Sequence, residues 1–420
     1  MATPVRSLET ARGGSNDSGG KLPGLAGFAL RKVLSLIEVG RLVIELPSGA
    51  KVERVGARPG PEADLKLNNW RALRRVALSG DVGLASAYFD NDWSSSDLTA
   101  LFELAAVNGA HFMDAIEGSA PFRLFNWLAH RVKANTRRGS RRNIEAHYDL
   151  GNEFYRLWLD AKMIYSSAIF RSSGATLEQA QETKLQRIVE SLQLAGGDSV
   201  LEIGCGWGGL ATKIAQDSAA RVTGVTISPA QLDKARALVA EKSLEDRVEL
   251  RLQDYRDIDG RFDRIVSIEM VEAVGREYIP KYFDTIRERL KPGGLCVLQA
   301  ITIAEDRFAG YCRRPDFIQR YIFPGGFLPS KTLMRETIER AGLKLTAVEN
   351  FGDSYALTLR EWRRRFLNAW PEIEKLGFAP SFKRLWEYYL CYCEAGFRAG
   401  AIDVGIYSLA HANGAKSLTP

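Results

Sequence analysis

Short apolar runs alternate with amphipathic stretches along the second half of the chain. The apolar runs cover 199–203, 221–227, 248–252, 262–268, 294–303 and 344–349. Helical periodicity begins at Gly209 and at Pro229, and it continues over 278–290 and 331–341. Strands that alternate with helices at this spacing predict an α/β fold with a mostly parallel sheet covered on both faces. A ligand is then expected at the carboxyl ends of the strands.

The first part of the chain has a different pattern, which predicts a small α+β domain. Apolar periodicity predicts a helix over 30–36, and alternation over 41–55 predicts two strands joined by a turn at Pro47-Ser48-Gly49. The segment 70–78, a Gly-rich segment around Gly80 and Gly83, and a helical stretch at 98–108 complete this domain. These shifts divide the chain into a mobile tail at 1–22, a small domain at 23–125, a basic linker at 126–160 and the α/β domain at 161–420.

Composition narrows the class of protein. The chain has 420 residues, of which 45% are hydrophobic and 26% are charged, and this suits a soluble globular protein with more than one core. No apolar stretch reaches the roughly 20 residues that a membrane-spanning helix needs, and residues 1–20 lack the apolar segment of a signal peptide. These features predict a cytoplasmic protein.

The cysteine pattern argues against disulfides and metal sites. Five cysteines are scattered along the chain, and no paired Cys/His spacing suits zinc; they are Cys205, Cys296, Cys312, Cys391 and Cys393. We therefore expect reduced thiols and no metal.

Basic residues concentrate in one short segment of the linker, which we call the basic cluster. It comprises Arg131, Lys133, Arg137, Arg138, Arg141 and Arg142. Charge runs of this kind are usually solvated surface. The alternative is a phosphate-facing collar, because cations beside an anionic bilayer gain about 1 kcal/mol each. Trp127 and Trp158 flank the cluster as candidate interfacial residues.

Glycines follow the first strand of the α/β domain and precede its first helix. They occur in the segment Val200 to Gly209, at Gly204, Gly206 and Gly208. Glycine there lets the backbone turn tightly and approach a ligand. A dinucleotide site would add an acidic residue at the end of the second strand, where this chain has Thr226, Ile227 and Ser228. The pattern therefore disfavours NAD.

A third segment carries polar side chains at a strand end. Asp254 and Tyr255 follow the third strand, where a carboxylate and an aromatic ring could bind the amino group and the ring of adenine. Asp254 can also be read as an ordinary turn residue. Together the three segments resemble the S-adenosylmethionine (SAM) site of class I methyltransferases.

Five separated blocks carry a more specific resemblance, which spans about residues 30 to 408. They are NTRRGSRRNIEAHYDLGNEFY at 135–155, LEIGCGWGG at 201–209, LQDYRD at 252–257, YIFPGG at 321–326 and EYYLCYCEAGFRAG at 387–400. The chain is similar to the cyclopropane fatty acid synthase family, which includes cyclopropane-fatty-acyl-phospholipid synthases and mycolic acid methyltransferases. This resemblance implies a Rossmann-like fold with a seven-stranded, mostly parallel sheet.

The resemblance also implies an activity and a location. The family transfers a methyl(ene) carbon from SAM to the double bond of an unsaturated acyl chain in a membrane phospholipid, through a carbocation that bound bicarbonate deprotonates, and the product is a cyclopropane. It implies a protein bound peripherally at the inner membrane surface, with no nucleic acid. The small domain at 23–125 and the linker at 126–160 would then serve lipid or dimer contacts and cover the site.

Site residues follow from the resemblance by position. The cofactor positions are Tyr165, Ser166, Glu202, Gly204, Gly206, Gly208, Thr226, Ile227, Gln231, Asp254, Tyr255 and Arg256. The bicarbonate cage would comprise Ser167, Glu272, Gln299, Ile301 and Tyr355. Cys393 matches a cysteine suspected of a catalytic role, but methyl transfer from a sulfonium needs no thiolate, and we interpret Cys393 as packing.

Two cage positions depart from the family pattern, because Ser167 replaces a cysteine and Gln299 replaces a histidine. Gln299 can donate and accept hydrogen bonds but cannot become cationic. Either bicarbonate is retained by Gln299 and Tyr355 beside Glu272, or the base has changed. A changed base would give a methyl-branched or methylene-branched chain. Glu272 also fits a helix-start carboxylate, and Tyr355 also fits a core aromatic.

Two other functions remain open. Small-molecule N-methyltransferases have similar catalytic domains, although the extra small domain and the basic cluster favour a lipid substrate. A lipid-binding protein without catalysis would explain the altered Ser167 and Gln299, but the intact glycine loop opposes it.

Overall fold

A computed structural model describes residues 30–31, 33–109, 150–172, 174–313 and 316–412 of the chain. The predicted tail at 1–22, Trp127 and the basic cluster lie outside the described residues. The structure begins with helical residues from Leu30, as the pattern predicts.

After the helical residues at its start, the described part of the small domain contains a four-stranded sheet and two further helices. The strands pair in the order β2-β1-β3-β4, with β1 antiparallel to β2 and parallel to β3. The predicted hairpin is confirmed, and Gly49 in its turn has a φ of 83°. The elements are β1 (Val39–Glu45), β2 (Lys51–Val55), β3 (Arg58–Leu67), α1 (Arg71–Phe89), β4 (Trp93–Ser94) and α2 (Leu98–Val107).

The large domain contains a seven-stranded sheet, in the order β10-β11-β9-β8-β5-β6-β7. Neighbouring strands from β9 to β7 are parallel, whereas β11 is antiparallel to both β9 and β10. The predicted mostly parallel α/β sheet is confirmed. The strands are β5 (Ser199–Ile203), β6 (Arg221–Thr226), β7 (Val248–Leu252), β8 (Phe262–Ile268), β9 (Leu290–Ile303), β10 (Leu343–Asn350) and β11 (Ile402–His411).

Helices cover both faces of this sheet and extend beyond it. Polar caps start three of them: Thr176 forms a capping box with Gln179, Ser228 accepts from the Gln231 N–H, and Ser330 accepts from the Leu333 N–H. The helices are α3 (Asn152–Arg156), α4 (Leu177–Leu192), α5 (Gly209–Asp217), α6 (Pro229–Glu241), α7 (Val271–Val274), α8 (Ile279–Arg289), α9 (Glu305–Tyr311), α10 (Lys331–Arg340), α11 (Gly352–Asn368), α12 (Trp370–Lys375) and α13 (Pro380–Arg398).

The long helix α13 joins the two domains. The Tyr388 ring lies 4.7 Å from Phe102 of the small domain and 4.6 Å from Phe317 of the large one. The Arg384 guanidinium donates to the carbonyl oxygens of Tyr88 and Trp93, at 2.5 and 3.1 Å. Because these contacts fix the small domain against α13, its side chains can reach the ligand cavity of the large domain.

An aromatic core lies beneath this junction and corrects one prediction. Trp158 is fully buried, with rings of Tyr155, Trp362 and Trp386 within 6.0 Å. Trp158 is therefore a core residue, and its predicted interfacial position was wrong. Among the described residues, no helix is long and apolar enough to cross a membrane.

Candidate active site

A cavity of about 880 Å³ lies along the carboxyl ends of β5, β6, β8 and β9, where the sequence predicts the ligand. Its walls continue to the small domain, which contributes Leu84, Phe102 and Ala105. All predicted cofactor positions except Gly208 line this cavity, as do the predicted catalytic positions Glu272, Ile301, Tyr355 and Cys393. The other two, Ser167 and Gln299, are buried directly behind its wall.

The glycine loop adopts the tight conformation that its sequence predicts. Gly204, Gly206 and Gly208 have φ values of 84°, 52° and 86°, a region that other residues rarely adopt. A Cβ on Gly208 would also lie 3.0 Å from the Cβ of Ala235 on α6. Gly208 thus holds the loop against α6, while Gly204 and Gly206 shape the cavity wall.

Glu202, next to the end of β5, is a buried carboxylate that faces the cavity. It accepts a hydrogen bond from the Ala211 N–H, but its Oε2 has no partner among the described residues. Burial raises its pKa to about 8, although the positive charge of Lys184 opposes this shift. A cationic ligand group beside Glu202 would favour its ionised form and pair with it, and the ammonium group of SAM is such a group.

The end of β6 carries hydroxyl and amide groups. Thr226 donates to Gln231 Oε1 at 3.0 Å, and the Ser228 N–H donates to Thr226 Oγ1 at 3.2 Å. These bonds hold the turn into α6, with Ile227 on the cavity wall. No carboxylate that could hold a ribose diol lies in this turn, in agreement with the sequence.

Asp254 binds its own neighbour. Its carboxylate accepts from Arg256 at 2.8 and 2.6 Å and from the Arg256 N–H at 3.0 Å, which caps a short 3-10 helix. The turn interpretation of Asp254 is therefore confirmed, whereas its contact with adenine stays a prediction. Tyr255 is buried, and its ring lies 5.5 Å from that of Tyr282.

Tyr165 and Ser166 enter the cavity from the segment before α4. The hydroxyls of Tyr165 and Tyr389 are 2.9 Å apart, and Ser166 Oγ accepts from Lys184 Nζ at 2.9 Å. Lys184 is buried, and desolvation lowers its pKa to about 8 despite the nearby charges of Glu269 and Glu202. It brings positive charge to the part of the wall that carries Glu202 and Glu269.

Three of the predicted cage residues converge on Glu269, which the sequence analysis did not identify. Its carboxylate accepts from the Ser167 N–H at 2.8 Å, from Gln299 Nε2 at 2.7 Å and from the Tyr355 hydroxyl at 2.6 Å. The only sequence signal was its position immediately after β8, at the ligand end of the sheet. The predicted grouping of Ser167, Gln299 and Tyr355 is observed, with a side-chain carboxylate at its centre.

The backbone of Glu269 is unusual as well. Its φ is 49°, in the left-handed region that costs an L-residue roughly 1–2 kcal/mol. Its N–H donates to the Gln299 carbonyl oxygen at 2.7 Å, which ties the turn to β9. Strained residues of this kind cluster at functional sites.

Glu272 lies one helical turn further, in α7. Its Oε1 accepts from the Ile301 N–H at 2.5 Å, and its Oε2 has no partner among the described residues. Burial, followed by the charge of Glu269, raises its pKa to about 8. Glu272 is therefore mostly a neutral carboxylic acid at pH 7, beside a second carboxyl group that receives three hydrogen bonds.

The cysteines of the cavity wall are poorly suited to chemistry. Burial raises the pKa of the Cys393 and Cys205 thiols well above their ordinary value, so both are protonated at neutral pH. All five cysteines lie among the described residues and are free. In the same part of the chain, no three His, Cys, Asp or Glu side chains are arranged to hold a metal.

The cavity defines the class of the protein. Its glycine loop can hold a nucleoside ligand, but the turn after β6 lacks the carboxylate that a dinucleotide would require. At the same time, Glu202 offers a buried carboxyl group whose Oε2 has no partner among the described residues and which a cationic amine would ionise. The protein is accordingly a SAM-dependent methyltransferase.

The chain belongs to the mycolic acid cyclopropane synthetase family, whose profile matches residues 135–406. It is 37% identical, over 80% of each chain, to the tuberculostearic acid methyltransferase of Mycobacterium tuberculosis. It is 36% identical to the cyclopropane-fatty-acyl-phospholipid synthase of Escherichia coli, over 90% of this chain and 94% of that one. The predicted family is confirmed.

A solved structure agrees with this assignment. Mycolic acid cyclopropane synthase complexed with SAH and CTAB superposes with a TM-score of 0.60 at 30% identity. The match covers 64% of this chain and 97% of that one.

Proposed function

We propose that the protein transfers a methyl(ene) carbon from SAM to the double bond of an unsaturated fatty acyl chain of a membrane phospholipid, and that the product is a cyclopropane. The observation that carries this proposal is a continuous cavity that joins the glycine loop to apolar walls of both domains. A long apolar chain needs such a continuous lining. The relative from E. coli, by its name, acts on fatty acyl phospholipids.

SAM, when bound, would supply an electrophilic methyl group. The residues of this chain then have three tasks: to align a neutral, weakly nucleophilic alkene, to exclude water, and to stabilise positive charge on the acyl chain. Apolar side chains such as Ile301, Phe327 and Phe397 line the cavity and exclude water. The faces of Tyr355 and Tyr389 provide electron-rich surfaces for a cation.

Bicarbonate, which the family resemblance predicts, does not fit the cage in this structure. Its expected donors, Ser167, Gln299 and Tyr355, all donate to the Glu269 carboxylate instead. A second anion at the same point would compete for these donors and would face the charge of Glu269 at contact distance.

A methyl- or methylene-branched product is the second candidate. The observation that favours it is the altered cage, together with the similarity to a tuberculostearic acid methyltransferase. The small-molecule alternative is less well supported, because the cavity extends to the small domain. Loss of catalysis is opposed by the intact glycine loop and by Glu202, whose Oε2 has no partner among the described residues.

The test of the proposed function is a reaction of the purified protein with SAM labelled in its methyl group and vesicles of unsaturated phospholipid. We expect label in the acyl chains, and cyclopropane fatty acids after hydrolysis. Unlabelled lipid, at protein concentrations that bind SAM by calorimetry, would contradict the function. A branched, ring-free product would select the second candidate.

Peripheral contact with the inner membrane surface and a homodimer are further parts of the proposal. Support for membrane contact comes from the charge of the basic cluster. Co-sedimentation with anionic but not with neutral vesicles is the expected result. Equal sedimentation with both would contradict an electrostatic contact.

A further inference from the structure

We propose that Glu269 is the general base of this enzyme, a carboxylate built into the chain at the point where a bound anion is expected. This inference rests on the proposed function, and it names the residue that completes the reaction. Glu269 faces the cavity, and Tyr355 and Glu272 line the same wall.

The hydrogen bonds around Glu269 are those that a small anion would need. Three donors from three separate segments meet its two oxygens, all within 2.8 Å, and two of them share Oε1. Carboxylates accept several such bonds when ionised, and the bonds stabilise the charged form. The donors thus hold the carboxylate in one orientation at the cavity wall.

The backbone supports the same conclusion. At a φ of 49° glycine would be the least strained residue, yet the position carries a long acidic side chain. Nothing in the turn itself requires a carboxylate, because the main-chain bond to the Gln299 carbonyl could be made by any residue except proline. We therefore attribute the acidic side chain at position 269 to a role in the cavity.

The surroundings favour ionisation of Glu269 over ionisation of Glu272. Burial raises the pKa of Glu269, but hydrogen bonds from Tyr355, Ser167 and Gln299 and the positive charge of Lys184 oppose this shift. Glu272 is mostly neutral at pH 7. Two neighbouring carboxyl groups, Glu269 and Glu272, would not both stay ionised at this separation.

The proposed step balances. The alkene electron pair forms a bond to the methyl carbon, and the bond from that carbon to sulfur breaks with its electron pair on sulfur. The carbocation then loses a proton from the transferred carbon to a Glu269 oxygen, and the electron pair of that C–H bond closes the ring. Glu269 becomes a carboxylic acid and later releases the proton to water.

The first test is the activity of Glu269→Gln and Glu269→Gly. Glu269→Gln keeps the shape but not the basicity, and we expect kcat to fall by about 10²- to 10⁴-fold, which is the usual contribution of a positioned base, with SAM affinity within threefold. A Glu269→Gln enzyme that keeps more than half of the wild-type kcat would overturn the proposal. Gln193→Gly is the matched control for the glycine variant, because Gln193 also has a positive φ, of 48°, and lies outside the cavity.

The second test asks whether the cage can take an external anion. Wild-type activity in carbonate-free buffer should be unchanged by added bicarbonate, whereas Glu269→Gly should be inactive there and regain activity as bicarbonate is added. A wild type that depends on bicarbonate by tenfold or more would refute the role of Glu269. So would a Glu269→Gly enzyme that is fully active without any added anion.

A third readout does not depend on turnover. The ¹³C resonance of labelled bicarbonate should broaden in the presence of Glu269→Gly and stay sharp with the wild-type protein and with Gln193→Gly. Broadening by the wild type would show that the cage is available to bicarbonate and would overturn the inference. If the wild-type protein transferred no label from SAM to lipid, the proposed function would be contradicted. The ¹³C experiment would still show whether the Glu269 carboxylate or bicarbonate occupies the cage.

Discussion

The two ends of the cavity differ in how they are built. At the cofactor end, the glycine loop, the turn after β6 and the segment at Asp254 are continuous pieces of chain, each at the end of one strand. At the reaction end, Ser167, Glu269, Gln299 and Tyr355 come from four distant segments. The backbone forms the first end, whereas the second depends on side chains that meet only in the folded protein.

Among variants that keep Glu269, the largest expected effect concerns the cofactor end. Gly208→Val places a β-branched side chain at a φ of 86° with its Cβ 3.0 Å from Ala235, so we expect SAM affinity to fall by roughly 100-fold. Calorimetric titration measures this change. Gly209→Ala is the matched control, because its Cβ would meet no atom closer than 3.6 Å. Unchanged SAM affinity in Gly208→Val would show that the loop does not need its glycine conformation.

The next effect concerns the reaction end. Tyr355→Phe removes one of the three donors to Glu269, and we expect kcat to fall roughly tenfold, as for a lost hydrogen bond to a charged group. Loss of this donor raises the pKa of Glu269, so the acid limb of the kcat profile should move to higher pH. The control Tyr407→Phe removes a buried hydroxyl outside the cavity, and it should change neither kcat nor the pH profile. If the pH profile of Tyr355→Phe were identical to that of the wild type, Tyr355 would have no influence on the pKa of the base.

A smaller effect concerns stability. The pKa of Glu272 is raised to about 8 in the folded protein, so the folded state holds this proton more tightly than the unfolded state. Its stabilising contribution is present below pH 4.5 and is lost as pH rises through about 8. Between pH 5 and 8, the unfolding free energy of the wild-type protein should therefore fall by on the order of 2 kcal/mol because of Glu272, and Glu272→Gln should not show this fall. Urea denaturation at pH 5 and at pH 8 measures the unfolding free energy of both proteins. An equal change with pH in the variant and in the wild type would contradict the raised pKa of Glu272.

The smallest effect is expected at Cys393. Its thiol lines the cavity but stays protonated, since burial raises its pKa. Cys393→Ser should change kcat by less than threefold, as measured with labelled SAM. A loss of 30-fold or more would assign this cysteine a role in the reaction.

Sequence patterns predicted most of the fold, because strand and helix periodicities are local. The strands from β5 to β10 and the hairpin of the small domain were predicted within a few residues. The strand β11 was not placed, since it is almost continuously buried between β9 and β10 and lacks clear alternation. Trp158 was misplaced because two of its aromatic partners, Trp362 and Trp386, lie more than 200 residues away in the chain.

The same contrast holds for the site. Glycines and strand ends located the cofactor end correctly, although the ion pair between Asp254 and Arg256 could not be foreseen from spacing. At the reaction end, the departures at Ser167 and Gln299 pointed to a changed anion site. The carboxylate that fills it follows β8 without any motif, so only the packing of four segments shows that Glu269 receives their hydrogen bonds.

The central claim is a proton transfer from the transferred carbon that closes a ring, and SAM with a fully deuterated methyl group tests it most directly. The reaction with unsaturated phospholipid vesicles should give an acyl product that gains one carbon carrying two deuterium atoms and that resists mild hydrogenation, as a cyclopropane does. A product that retains three deuterium atoms, or one that takes up hydrogen as an alkene, would contradict the account.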